Sequence, residues 1–337
     1  RNMLVKVQGA EQLAQRIYFE YDNESTPLGK GGMGTVYLGR CVSEETGAYT
    51  PVAIKFIENN TEDLMRRAIQ EASVQIAHPN LMRMWGFIPN MEWDPYTQKQ
   101  IARYYVVMEY LEGINLDSIL EGNTISKVGN VILLAQGFLN KYREDRVGAT
   151  IDIMHDVLVA VAELHKNGYV HRDIDPSNIM ITNDREIKII DYGICKPLFS
   201  QVSFGSKLTL PGSIIGKVDY GAPEIVTGDV AKQNFTTDIY SLGILLYQMV
   251  TGRLPFEGDN TTVTKAHLSE AVPIQNISNI KLRRIVEIAT NKEQRDRYQT
   301  ALEMLDDLKA VKRIHSDSTE GEEKNEEATV SKRIFTP

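Results

Sequence analysis

The sequence predicts an α+β protein of two lobes, a small β-rich one followed by a larger, mainly helical one. Three observations carry this. Up to about residue 111 the apolar residues alternate in strand fashion, interrupted by one long helical pattern. Beyond residue 112 the apolar spacing turns helical and stays so to residue 313. The chain has 337 residues, enough to give each lobe a core.

Taken in order, residues 1–22 form a lead-in and residues 23–111 the small lobe. "IYFEY" (17–21) and "TVYLGRCV" (35–42) read as strands, and "PVAIKFIE" (51–58) follows after the turn-like "EETGAY". Residues 61–77 read as one helix. Thr61 is its N-cap, Glu62 and Asp63 lie in the first turn where the helix dipole favours acids, and Pro79 ends it. "RYYVVMEYL" (103–111) is a buried strand. In the large lobe, 112–313, residues 114–120 form a short amphipathic stretch and 148–168 a long helix stopped by Gly168. Helices follow at about 238–251, 262–270, 278–290 and 298–313. Residues 121–147 fit no clear pattern and read as an irregular or helical insertion. The tail, 314–337, is acidic and rich in Ser and Thr, which predicts disorder.

Composition narrows the function. A net charge of −8 argues against broad nucleic-acid binding through phosphate neutralisation. Two distant cysteines, Cys41 and Cys195, form no metal-ligand spacing and read as reduced thiols of a cytoplasmic protein. The longest apolar run, 239–250, is too short for a bilayer and reads as a core helix. No signal peptide is visible, and no membrane contact within this chain. Because the chain starts at Arg1, an anchor in a further part stays open.

Three stretches carry chemistry. "LGKGGMGTVYLG" (28–39) places Gly29, Gly31 and Gly34 in a G-x-G-x-x-G pattern. A strand and not a helix follows, so the glycines form a hairpin flap whose backbone can approach phosphates closely. A dinucleotide oxidoreductase fails here, because no βαβ unit surrounds them. In "VAIK" (52–55) the lone cation Lys55 suits a phosphate clamp if an acid holds it. Glu71 on the following helix can do so, with Glu62 as the alternative. In "HRDIDPSNIM" (171–180) the acid Asp173 and, five positions on, the amide Asn178 suit a proton acceptor beside a metal ligand.

These parts, in this order, resemble the protein kinase family. "DYG" (191–193), "APE" (222–224), "DIYSLG" (238–243) and "RDRYQTALEMLDDL" (295–308) extend the likeness over roughly residues 23 to 313. The details look like bacterial, eukaryotic-like serine/threonine kinases. The resemblance implies the bilobal kinase fold, ATP and Mg²⁺ as cofactors, and protein substrates, with a transient dimer possible for autophosphorylation. It implies that Asp173 handles the substrate hydroxyl's proton, that Asn178 and Asp191 hold Mg²⁺, and that Lys55, fixed by Glu71, grips the α/β-phosphates. Leu28 and the three glycines would cover the nucleotide, and Val36, Ala53 and Met180 would enclose adenine. Met108 would stand behind it and the Glu109–Leu111 backbone would pair with it. Asp238 would bind the catalytic-loop backbone, and Glu224 and Arg297 would form a buried ion pair.

One departure stands out. Two positions after the catalytic acid the family usually carries lysine, and here stands Asp175. Seven positions before the Glu of "APE" it usually carries threonine, and here stands Lys217. The implied reading is an exchanged acid–base pair that preserves the local charge. The alternative is a pseudokinase that holds nucleotide without efficient transfer. The segment 194–215, with Ser200, Ser203, Ser206, Thr209 and Ser213, reads as a regulatory loop whose phosphate would pair with Arg172.

Overall fold

A computed structural model describes residues 4–31, 34–58, 61–184, 186–192, 196–197 and 218–316. The small lobe opens with β1 (Leu4–Val7), α1 (Ala10–Ala14) and β2 (Ile17–Asp22). Next come β3 (Gly29–Gly31), β4 (Gly34–Ser43), β5 (Tyr49–Ile57), α2 (Glu62–Ser73), β6 (Met84–Asp94) and β7 (Lys99–Glu109). The strands form one antiparallel sheet in the order β1-β2-β4-β5-β7-β6, with β3 also paired to β4. The lead-in thus supplies strands of the same sheet.

The sheet curls until its two edges meet through one side chain. Gln8 N donates to Asn90 Oδ1 at 3.1 Å, and Asn90 Nδ2 donates to Lys6 O at 2.9 Å. Asn90 on β6 therefore satisfies edge groups of β1 that would otherwise need water. Val7, Phe19, Ile54, Ile88 and Val107 pack inside the curl.

Helix α2 starts as expected, with Leu64 N donating to Thr61 Oγ1 at 3.4 Å. It ends at Ser73, four residues before the expected 77. Val74 and Ile76 are buried while Ser73, Gln75 and Ala77 are exposed. That alternation belongs to extended chain, and the β-branched pair favours it. The strand β6 went unread in the sequence because Gly86, Pro89 and Asn90 interrupt its apolar pattern.

The large lobe contains β8 (Gly113–Asn115), α3 (Leu116–Leu120), α4 (Leu133–Glu144), α5 (Arg146–Lys166) and β9 (Tyr169–Val170). It continues with β10 (Ile179–Thr182), β11 (Ile187–Ile189), β12 (Lys196–Pro197) and α6 (Pro223–Val226). The helices α7 (Phe235–Thr251), α8 (Asn260–Ser269), α9 (Ile280–Ala289) and α10 (301–316) complete it. The stretch 121–147 resolves into a turn, helix α4 and the first residues of α5. Helix α10 covers 314–316, the start of the expected tail, and the rest of the tail lies outside the described residues.

Helix α7 is the axis of this lobe. Asn234 caps it, accepting from Thr236 N at 2.8 Å, while Asn234 N donates to Thr237 Oγ1 at 3.0 Å. Gly252, at φ 80°, closes it in the left-handed conformation that a Cβ would disfavour. Between these caps thirteen of its seventeen residues are buried, so it reads as apolar almost all round.

Beside it lies a buried imidazole. His267 Nδ1 is 2.8 Å from the Tyr240 hydroxyl, and Nε2 is 3.0 Å from Asp219 O. A neutral ring donating from Nε2 satisfies both contacts. Burial, then the nearby Lys292 charge, pushes its pKa down from 6.5 to about 4. The unfolded chain therefore binds more protons than the folded one between these values, and stability must fall as the pH drops from 6.5 towards 4. The expected loss by pH 5 is roughly 2 kcal/mol. Urea unfolding at pH 7 and pH 5 checks this, because His267→Gln should flatten the slope. Parallel slopes for the two proteins would refute it.

Candidate active site

The site lies between the lobes, and each lobe contributes rigid elements to it. On β5, Lys55 Nζ is 2.7 and 2.9 Å from the two carboxylate oxygens of Glu71 on α2. Glu62 pairs instead with Arg66 on its own helix, 2.8 Å away, so it is not the lysine's partner. Glu71 is buried, and burial pushes its carboxyl above the ordinary range. Lys55 pulls it back, while the carboxylate of Asp191 pushes it further up. The structure thus brings Lys55, Glu71 and Asp191 into one electrostatic group.

Gly34 lets the flap lie close to β5. A Cβ there would sit 1.9 Å from Phe56 O, so no other residue fits without moving the strand. Gly29 pairs with Val36 and Val36 with Lys55, which aligns the flap with the clamp. The central flap residues 32–33 lie outside the described residues.

The catalytic-loop candidates are held from below. Asp238 accepts from His171 N and Arg172 N at 2.8 Å each, and His165 Nε2 stands 2.7 Å from the same carboxylate. Burial alone would raise the Asp238 carboxyl, but His165 and the loop hold it below the ordinary range. This clamp supports a strained backbone at Arg172, whose φ is 70°; Asp191, at φ 63°, also lies in the left-handed region. Asn178 Nδ2 donates to Asp173 O at 2.8 Å and to Asp173 Oδ2 at 3.1 Å. Those contacts turn the other end of the amide, Oδ1, away from Asp173. Ile190 N donates to Asn178 O at 2.9 Å, which places Asp191 beside Asn178.

Asn178 Oδ1 and the Asp191 carboxylate are hard oxygen donors, and they suit Mg²⁺ better than a softer metal. Among the described residues no cluster of three His, Cys, Asp or Glu could hold a metal alone. Mg²⁺ does not need one, because it keeps waters and takes phosphate oxygens.

A cavity of about 310 Å³ opens beside the clamp. Leu28, Ala53, Met108, Glu109, Leu111 and Met180 line it, as the resemblance implied, and Met82 and Ile190 add to the apolar end. Val36 packs against the core beside Lys55. The Glu109 N–H is already donated to Arg83 O at 2.9 Å, which leaves base pairing to the other backbone groups of this segment. Lys188 on β11 fixes the same segment: its Nζ is 3.0 Å from Glu109 Oε1. Sequence reading passed over Lys188, although a lysine inside the apolar "IKII" needs a buried partner.

Asp175 has a local role that its chemistry alone did not suggest. Its Oδ1 accepts from Ser177 N at 2.7 Å and from Ser177 Oγ at 2.6 Å, capping the short helical turn Pro176–Asn178. Tyr220, just before "APE", is pushed up first by burial and then by the charge of Asp175. Lys217 lies outside the described residues, as do Cys195 and all five Ser and Thr candidates of the 194–215 loop. Arg172 is buried and donates to Gln233 Oε1 at 3.1 Å.

The lysine–acid clamp, glycine flap and braced Asp173–Asn178 loop in a bilobal fold define the protein kinase class. The chain belongs to the protein kinase family: the protein kinase domain matches residues 22–322. It is similar to a probable serine/threonine-protein kinase of Clostridium perfringens, 34% identical over 88% of this chain and 40% of that one. The serine/threonine-protein kinase PrkC of Bacillus subtilis is 32% identical over 84% of this chain and 39% of its own length. A probable serine/threonine-protein kinase PknB of Lactococcus lactis is 29% identical over 83% and 40%. The chain thus spans about two-fifths of the length of these relatives. No described helix is long and apolar enough to cross a membrane.

Proposed function

We propose that this chain transfers the γ-phosphoryl group of ATP to Ser or Thr hydroxyls of proteins, its own loop included. The observation that carries this is the Lys55–Glu71 pair, closed at 2.7 Å across two separate elements. A nucleotide-binding scaffold has no need of Asp173 braced by Asn178 as well. The names of the relatives favour the same activity. In the reaction the substrate oxygen bonds to the γ-phosphorus while the bond to the β–γ bridging oxygen breaks. ADP leaves, and the hydroxyl proton passes to Asp173. Bound Mg²⁺ would neutralise charge developing on the phosphates, and Asn178 and Asp191 would hold it. Lys55 would orient the α/β-phosphates, with Glu71 setting its position. We place the activity in the cytoplasm and read any dimer as transient. Incubation with Mg²⁺ and labelled ATP, followed by phosphosite mapping, tests the proposal. No label on the chain or on a general protein substrate would count against it.

The Asp175–Lys217 exchange belongs to the same proposal. The charge of Asp175 acts on Tyr220, three residues after Lys217, and an unopposed carboxylate beside ATP phosphates would cost binding and transfer. Asp175→Asn removes the charge but keeps an oxygen for Ser177. A double-mutant cycle with Lys217→Thr should show a coupling of about 1 kcal/mol or more in kcat/KM. Strict additivity would sink the exchanged-pair reading.

A further inference from the structure

The turn at residues 123–131 matches no kinase motif, yet it walls the cavity. Asn123, Ile125, Ser126, Lys127 and Val128 all line it. The turn is firmly built. Ile125 and Val131 form a β-bridge, Ser126 N donates to Asn130 O at 2.8 Å, and Ile132 N donates to Thr124 O at 2.9 Å. Asn130 Nδ2 donates to Glu112 Oε1, which ties the turn to the segment after β7.

Held this way, Lys127 reaches the flap. Its Nζ lies 3.2 Å from where a Cβ on Gly29 would be, so the glycine leaves room for the ammonium. The nearby acids are engaged elsewhere: Glu112 accepts from Asn130, and Glu109 from Lys188 and Arg83 N. Among the described residues Lys127 makes no ion pair. Gly29 and Lys55 flank Val36 of β4, roughly 10 Å apart at the backbone, so Lys127 meets the flap two strands away from Lys55. Ala53, Met82 and Met108 give the cavity an apolar wall, and the turn adds the polar Asn123, Ser126 and Lys127 beside the apolar Ile125 and Val128. A purine suits the wall of Ala53, Met82 and Met108. Its sugar and phosphates then lie within the field of both ammonium groups.

We propose that Lys127 is a nucleotide-binding cation contributed by the insertion, acting on the charge of the phosphate chain. This rests on reading the cavity as the nucleotide site. The test is calorimetric binding of adenosine, ADP and ATP to wild type, Lys127→Ala and Lys127→Arg, at low and high salt. Lys127→Ala should weaken ADP and ATP by about 5- to 10-fold at low salt and leave adenosine unchanged. Lys127→Arg should bind as wild type does, and high salt should shrink the difference. Lys127 is exposed, so the melting temperature should not move. Equal ADP affinity in Lys127→Ala and wild type overturns the inference, as does an equal loss for adenosine and ADP. Wild type that binds neither adenosine nor ADP would overturn the nucleotide reading beneath it.

Discussion

Asp173→Asn should reduce phosphate incorporation by about 10²–10⁴-fold, the usual cost of losing a positioned proton acceptor. The substitution keeps the shape of the side chain. Asn178 Nδ2 can still donate to the backbone carbonyl at position 173 and to a side-chain oxygen there, and the Asp238 clamp on His171 and Arg172 is untouched. Folding stability and ADP affinity should therefore stay close to wild type while transfer collapses. Radiolabel incorporation, run beside thermal melts and ADP titrations, separates these effects. Equal incorporation by the two proteins would show that Asp173 is not the acceptor and would undo the enzymatic reading.

The second large effect is on stability. Arg297→Ala should cost about 3–5 kcal/mol, because it leaves a buried carboxylate without its counter-charge. Arg297 Nη1 and Nη2 lie 2.7 and 3.1 Å from the two oxygens of Glu224, a bidentate pair. Both residues are buried. Arg297 also donates to Thr236 O, Asn291 O and Lys292 O, and Glu224 accepts from Thr237 Oγ1 and Gln294 Nε2. The pair therefore joins α6, the start of α7 and the stretch before α10. Burial alone would raise the Glu224 carboxyl, but Arg297, with a further bond from Gln294, holds it below the ordinary range. A lowered carboxyl stabilises the fold above its unfolded pKa, and this is lost as pH falls through the lower folded value. Denaturant unfolding at neutral pH reads the loss directly. A midpoint for Arg297→Ala equal to that of wild type would refute it.

Glu71 shows how far residue identity alone could go. The sequence supplied a lysine needing an acid and two acids on the next helix, Glu71 and Glu62. The family resemblance pointed to Glu71, and the packing of α2 shows which of the two meets Lys55. Helix α2 turns Glu71 inward to Lys55 and leaves Glu62 beside Arg66. Asp175 shows the opposite case. Its charge was legible as a departure from a family pattern, but its capping of Ser177 depends on the turn that the loop adopts. The brace of Glu109 by Lys188 and the sheet closure by Asn90 joined residues 79 and 82–84 positions apart, separations that no periodicity records.

The sequence by itself determined the two lobes, the helical and strand periods that build them, and the order of the chemical groups. These are local properties: side-chain spacing decides which face is apolar, and motif order survives without any knowledge of contacts. Only the tertiary structure decided what the insertion does. Residues 121–132 carry no period, because a turn is held by backbone and amide hydrogen bonds and not by a repeating apolar face. Its role emerges when Asn130 meets Glu112 and Lys127 meets Gly29 across 18 and 98 positions of chain. Such long-range pairings are chosen by the packing of the whole lobe, which is what brings a cation near the flap.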